Sequence, residues 1–581
     1  MMLTNSVLAT YLVGRHLHIL NSVSQSRWLT FSLFALIALL SLLPSLRLLN
    51  EALQHWDRGI DAPMLQVLKN PSTWLALKNS LYTSSLGTLL AVILGSGFAY
   101  ILSLTNVRWR ALWVFCFMLP MMIPPQVTAL SWLQLFGPAS PILNSFGIAP
   151  QLGSPQPMYS AQGIALLLGI QHAPLVFLAL RTALICIPRD LVEAAQLSGA
   201  SQWRLWLNII VPLSWPAMIG GAAIAFVSAL GNFGIPAMLG IPAGYLVLPT
   251  LIYQQMAGFG NDILSEVASL SMIMALLVFL GMLLQQWLQQ RSSFSLLGLT
   301  SQSASFKLGR WRPLCEIVLA LILSFILIAP LAALIVSSLV PALGVALTTK
   351  TLTFSAYFEM LAHQESTARA FTNSIGLASA AALILMAIAL PLGYRLGQLP
   401  LRWRSIAASV IEVPFAIPGI VLSIAFILLF ASPIPLLDLQ LYGTLWIILF
   451  AYLSCFLSVC LKPISASLSQ LDPGLSEAAR IVGATPLQLL RDILLPLTAP
   501  ALFAGGVLVF LISVNELTVS ALLWSAGNET LGVLVFNLDE SGDSVLASAL
   551  SVLVVILVAG LMGLLNLLAP RLPKGVIPWH C

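Results

Sequence analysis

Residue types that make or break bonds are sparse and scattered in this chain. Its six cysteines form no CxxC pair and read as small apolar packing residues, and His172 and His363 stand alone, away from ligand spacing. No GxxxxGK[ST] phosphate loop occurs, so nucleotide hydrolysis is not expected on this chain. The chemistry that does repeat is charge-mediated docking. LVEAAQLSGASQWRLWLNIIVPLSWPAM begins at Leu191, and LSEAARIVGATPLQLLRDILLPLTAPAL begins at Leu475. Glu193, Gly199, Pro212 and Pro216 match Glu477, Gly483, Pro496 and Pro500 at one offset of 284. Repeated spacing of this kind marks a duplicated unit.

Each copy reads as a short helix, a tight glycine turn and a second helix. Asp190 lies three residues before Glu193, like a capping box. Gly199 and Gly483 stand where a helix C-cap needs positive φ. Ser201 and Thr485 are N-caps for the next helix, with Pro486 at a first helical position. Such a segment either lies flat on a membrane or docks another protein. The small residues, the exposed glutamates and the duplication favour docking.

The elements that carry these segments are set by composition. Apolar residues make up 59% of the chain and charged residues 8%, too apolar for a water-soluble fold. Runs of about 20 apolar residues, the length that crosses a bilayer, lie near 28–48, 80–103, 111–134, 161–184, 209–232, 266–288, 314–340, 370–394, 405–431, 443–467, 493–516 and 545–569. The bilayer requires every backbone polar group to be satisfied internally, so these are helices. Prolines in the runs around 209–240 and 493–525 predict kinks or breaks. No cleavable signal is expected, because no small-residue cleavage site follows the first run.

With the N-terminus inside, only Arg47, Arg58, Lys69, Lys78, Lys350 and Arg369, of 25 Lys and Arg, fall outside. This positive-inside bias places both repeated segments and both termini in the cytoplasm. Asp539, Glu540 and Asp543 cluster in the last external loop. Topology accounts for the net charge of +5, and no nucleic-acid partner is implied.

The duplication extends further. Asn79-Ser80, Pro120 and Pro124 match Asn373-Ser374, Pro414 and Pro418 at an offset of 294. The first half therefore holds about ten extra residues, expected within 131–160. The chain reads as an all-α protein of about twelve spans in two parallel six-span repeats, 1–300 and 301–581, joined by a Ser-rich basic linker at 289–313.

Glu193-Ala194-Ala195…Gly199…Ile210-Val211-Pro212 and Glu477-Ala478-Ala479…Gly483…Leu494-Leu495-Pro496 resemble the EAA signature of permease subunits of binding-protein-dependent ABC importers. Val211 stands where Leu is usual. The resemblance implies that each segment is a coupling helix seated on a cytoplasmic ATPase, with Arg204 and Arg491 on the same surface. It implies two copies of that ATPase, which uses ATP, a periplasmic solute-binding protein, a bacterial inner-membrane location and no cofactor bound by this chain. The fused form is similar to ferric-iron permeases. GNFGIPAMLGIPAGYLVLPTLIYQQM from Gly231 and NELTVSALLWSAGNETLGVLVFNLDESGD from Asn515 carry that likeness, although Asn232 stands where the iron type often has an acid. Ferric iron is the cargo so implied, ahead of thiamine, phosphonates, polyamines and sulfate.

Polar residues within spans mark candidate paths. Glu412 either lines the translocation path or faces a polar group on a neighbouring helix. Asn232 and Glu516 align at the 284 offset and are expected at the external ends of their spans, flanking an outer vestibule. An ion-coupled secondary transporter also suits twelve spans in two halves, but it would need several buried carboxylates. A membrane enzyme would need a nucleophile–base pair or a metal cluster.

Overall fold

The computed structural model describes residues 32–568 apart from 55, 152, 259–261, 292–305, 434–437 and 439. Most of the expected linker, both terminal segments and Cys581 lie outside the described residues. Helices dominate, and the long ones repeat in order.

In the first half, α1 (Ser32–Leu53) is followed by α2 (Pro71–Leu104), the bent pair α3 (Arg110–Met122) and α4 (Pro125–Leu135), and α5 (Ala161–Ile185). The repeated segment gives α6 (Arg189–Leu197) and leads into α7 (Gln202–Gly231). Then come α8 (Gly234–Gly240), α9 (Leu248–Met256) and α10 (Ile263–Arg291). The second half answers with α11 (Gly309–Ser338), α12 (Glu365–Gln398), the bent pair α13 (Leu401–Ala416) and α14 (Gly419–Phe430), and α15 (Leu445–Ser469). It ends with α16 (Pro473–Ile481), α17 (Pro486–Val514), α18 (Ser520–Leu523), α19 (Leu531–Glu540) and α20 (Ser544–Leu568).

Ten of these helices are long and apolar enough to cross a membrane, twelve if each bent pair is one span. The bends are 99° and 101°, at Ile123-Pro124 and Ile417-Pro418. Proline removes an N–H and clashes with the preceding turn, so the helix stops there. The freed carbonyls are satisfied by other helices: Asn515 Nδ2 donates to Met122 O at 3.0 Å, and Gln171 Nε2 donates to Ile123 O at 3.2 Å. Hydrocarbon leaves no alternative partner.

Proline also explains four wide π turns. They lie at Ala38–Leu42, Trp206–Ile210, Ser324–Ile328 and Leu489–Leu494, just before Pro44, Pro212, Pro330 and Pro496. Widening the turn accommodates the ring without ending the helix. The spans expected to begin at 209 and 493 therefore begin earlier, at Gln202 and Pro486, and run straight on from the repeated segment.

The halves interleave. α1 packs on α14 of the second half, and α11 packs on α4 of the first. Ser337 Oγ donates to Gln134 Oε1 at 2.9 Å, and Phe325 meets Trp132 edge-on at 5.4 Å. Residues 306–316 are also tied to the first half. Phe306 N donates to Leu104 O, Leu308 N to Asn106 Oδ1, and Arg108 N to Glu316 Oε1. The extra residues of the first half lie where expected. They form a short helix, Pro141–Ser145, and Asn144 Nδ2 there donates to Gly344 O.

The repeated Asn-Ser pairs have a structural task. Asn79 Nδ2 donates to Leu246 O, and Leu248 N donates to Ser80 Oγ. In the second half Asn373 Nδ2 donates to Glu529 O, and Leu531 N donates to Ser374 Oγ. Each pair pins the start of α9 or α19 to the long helix of its half.

Candidate functional site: a repeated surface helix and a shared cavity

α6 and α16 each place their glutamate on the surface. The glycine turns form as expected: Gly199 has φ +80° and Gly483 φ +84°. Ala200 N donates to Ala195 O and Ala484 N to Ala479 O, the six-residue closure of a Schellman motif. A side chain added at either glycine would meet open space. Ser201 Oγ accepts from Arg204 N, and Thr485 forms a reciprocal capping box with Gln488.

The capping box expected from Asp190 does not form. Helix α6 starts after Pro188, so Asp190 already sits within the first turn. Glu193 instead pairs with Arg189 at 2.6 Å. In the second copy Pro473 replaces Arg189, and Asp472 caps the helix by accepting from Gly474 N at 2.9 Å. Glu477 then has no ion-pair partner among the described residues. Ala194 and Ala478 are exposed, while Ala479 is buried and Ala195 half-buried. Arg204 is exposed, and Arg491 lies 3.8 Å from Asp492. Large apolar side chains crowd the same surface: Leu197 is 90% exposed, Ile481 84% and Trp203 71%. Soluble surfaces do not leave such groups uncovered without a partner.

Asn232 and Glu516 sit where α7 and α17 break. Asn232 Oδ1 accepts from Ile235 N at 3.1 Å, capping α8. The Glu516 carboxylate accepts from Val519 N at 2.6 Å and Ser520 N at 3.1 Å, capping α18. The chain turns at both residues. Both line a cavity of about 670 Å3 that the two halves share, and Glu412 lines it too. The sequence reading missed two features here. The polar group facing Glu412 on a neighbouring helix is Lys462, at 3.2 Å, which the sequence did not single out, and the amides Gln126, Gln171 and Asn515 join the cavity wall. The amides sit one to three residues from prolines or at a span break, which was their only signal. His172 lies in the same wall with Nδ1 2.7 Å from Leu168 O. His363 pairs with Glu359. No group of metal-ligating side chains occurs among the described residues.

A duplicated helical bundle with a shared cavity between its halves, and one exposed amphipathic helix per half, defines a polytopic membrane transport subunit. Sequence comparison names the family. The profile described as "Binding-protein-dependent transport system inner membrane component" matches residues 87–294 and again 389–574, and the chain belongs to that family. It is 25% identical to the probable ABC transporter permease protein y4fN of Sinorhizobium fredii over 87% of this chain and 88% of that one. It is 25% identical to the ferric transport system permease protein FbpB of Actinobacillus pleuropneumoniae over 83% of this chain and 69% of that one. The molybdenum transport system permease protein ModB of Escherichia coli is 30% identical over 39% of this chain and 97% of its own length. The chain is thus a multi-pass inner-membrane permease subunit of an ABC importer.

Proposed function

We propose that this permease imports ferric iron delivered by a periplasmic binding protein, driven by two copies of a cytoplasmic ATPase docked on α6 and α16. The observation that carries the docking is the pair of exposed helices, each with an uncapped apolar surface at its glycine turn. Lys and Arg asymmetry supports placing these helices, and both termini, in the cytoplasm. Length-matched similarity to a ferric permease supports the cargo. So does the cavity wall, whose charged groups are the carboxylates Glu412 and Glu516 against one ammonium, Lys462. Such a wall favours a cation over an oxyanion.

ATP closes the two ATPase subunits and draws the docked helices together. Because α6 and α16 join α7 and α17 through the short glycine turns, that movement reaches the span breaks at Asn232 and Asn515. The halves then rock around the shared cavity.

The test uses tagged protein, gently solubilised and purified. An ATPase is expected to come with it. Gly199→Asp with Gly483→Asp should leave insertion intact, because aspartate tolerates positive φ and both positions face open space. The double variant should lose the ATPase. Normal co-purification with that variant removes the docking assignment. The binding protein captured outside should carry ferric iron; molybdate or 2-aminoethylphosphonate in its place would reassign the cargo.

A further inference from the structure

Glu412 and Lys462 line two cavities at once. One is the central cavity of about 670 Å3. The other, of about 450 Å3, is bordered by Asp472, Leu475 and Ser476 at the start of α16. Oε1 of Glu412 on α13 and Nζ of Lys462 on α15 meet at 3.2 Å, where the two spaces adjoin. We propose that this ion pair is the charge-bearing gate between the central cavity and the α16 end of the second half.

Four observations carry this. The bridge joins two different helices, so it closes a gap rather than stiffening one helix. Both side chains are about half exposed, and both line the central cavity as well as the second one. Half-exposed pairs are weak, so this one can break in every cycle. Lys462 also lies 5.8 Å from the Phe415 ring, which offers the ammonium a cation–π resting place when the carboxylate leaves. Lastly, the equivalent positions in the first half are Met118 and Leu178, which carry no charge. The gate is therefore one-sided, and the second cavity links it to α16, whose N-cap Asp472 shares that wall.

The inference rests on reading the central cavity as the cargo's path. Its test measures access to that cavity from the α16 side. Ser228, in the cavity wall away from the pair, is replaced by cysteine in the full chain with its native cysteines removed. A membrane-impermeant maleimide is then applied to vesicles from the α16 side. Glu412→Gln and Lys462→Met should each label about fivefold faster than the parent, the shift that loss of one weak pair produces. The reversed pair, Glu412→Lys with Lys462→Glu, should return the rate to the parent's. Unchanged rates in both single variants, or a reversed pair as fast as they are, would overturn the gate. Glu412→Gln is isosteric, so a folding failure in Lys462→Met leaves the question decidable. The path itself is judged separately: it falls if the fully labelled parent still takes up cargo.

Discussion

The two halves descend from one unit, yet they pack differently. In the first, Gly87, Ala91, Gly95 and Ala99 recur every four residues along α2. A methyl at Gly95 would lie 2.6 Å from Ala173 O on α5, so the two backbones touch. Small residues at this spacing are what lets helices associate in lipid, where no hydrophobic force drives them together. The matching positions in the second half are Ala381, Leu385, Ala389 and Gly393, and there α12 meets α15 less extensively. That half instead carries the charges: Glu412, Lys462 and Glu516 face Met118, Leu178 and Asn232 across the pseudo-symmetry. The first half is thus the more closely packed at this helix pair, and the second the more charged at the cavity. Elsewhere divergence is compensated. Gly234 packs against Pro125, while in the second half the glycine has changed sides and Gly419 packs against Thr518.

The largest effect should come from Gly95→Val. Overpacking against a backbone carbonyl should cost about 3 kcal/mol, against about 1 kcal/mol for Ala389→Val. Thermal unfolding in detergent checks both; equal losses would mean that the halves are equally tight.

Next is the pair at the span breaks. Glu516→Gln keeps one acceptor oxygen where two N–H groups now bind, and should weaken the α18 cap by about 1 kcal/mol. Uptake should fall several-fold, because loosening this cap moves the wall of the cavity that Glu516 lines. Asn232→Asp retains its cap and should transport normally. Unchanged uptake by Glu516→Gln would remove this residue from the path.

The smallest effect concerns Arg369 and Glu529, which pair at 3.5 Å where the first half has Leu75 and Tyr245. Burial works to raise the Glu529 carboxyl, but the N–H of Gly527, its own N–H and the Arg369 guanidinium outweigh it and hold the carboxyl below its ordinary value. A depressed carboxyl stabilises the fold above its unfolded pKa, and that contribution is lost as pH falls through the lower folded value. Glu529→Gln should therefore cost below about 1 kcal/mol at neutral pH. The difference from wild type should vanish in acid. A difference that persists below pH ~3 would assign the effect to packing instead.

Much of the fold is legible in the sequence because its causes are local. Apolar runs, the glycine turns and Thr485 with Pro486 all act through spacing or neighbouring backbone, whereas the Asn-Ser pairs, legible as a repeat, act on backbone far along the chain. The misreading at Asp190 has the same local scale: Pro188 starts the helix two residues earlier than the acidic pair suggested. What the site needs is not local. Glu412 and Lys462 lie on different helices, and Asn515 reaches Met122 in the other half.

The sequence by itself determined the number of apolar runs, the duplication and the exposed Glu-Ala-Ala helices, because helix formation and bilayer crossing depend on composition and period over about 20 residues. Only the tertiary structure decided which broken ends share a cavity, which half packs tightly and which charges meet. Those depend on how helices far apart in sequence approach, and that is set by side-chain volume and by the freed carbonyls at each proline break.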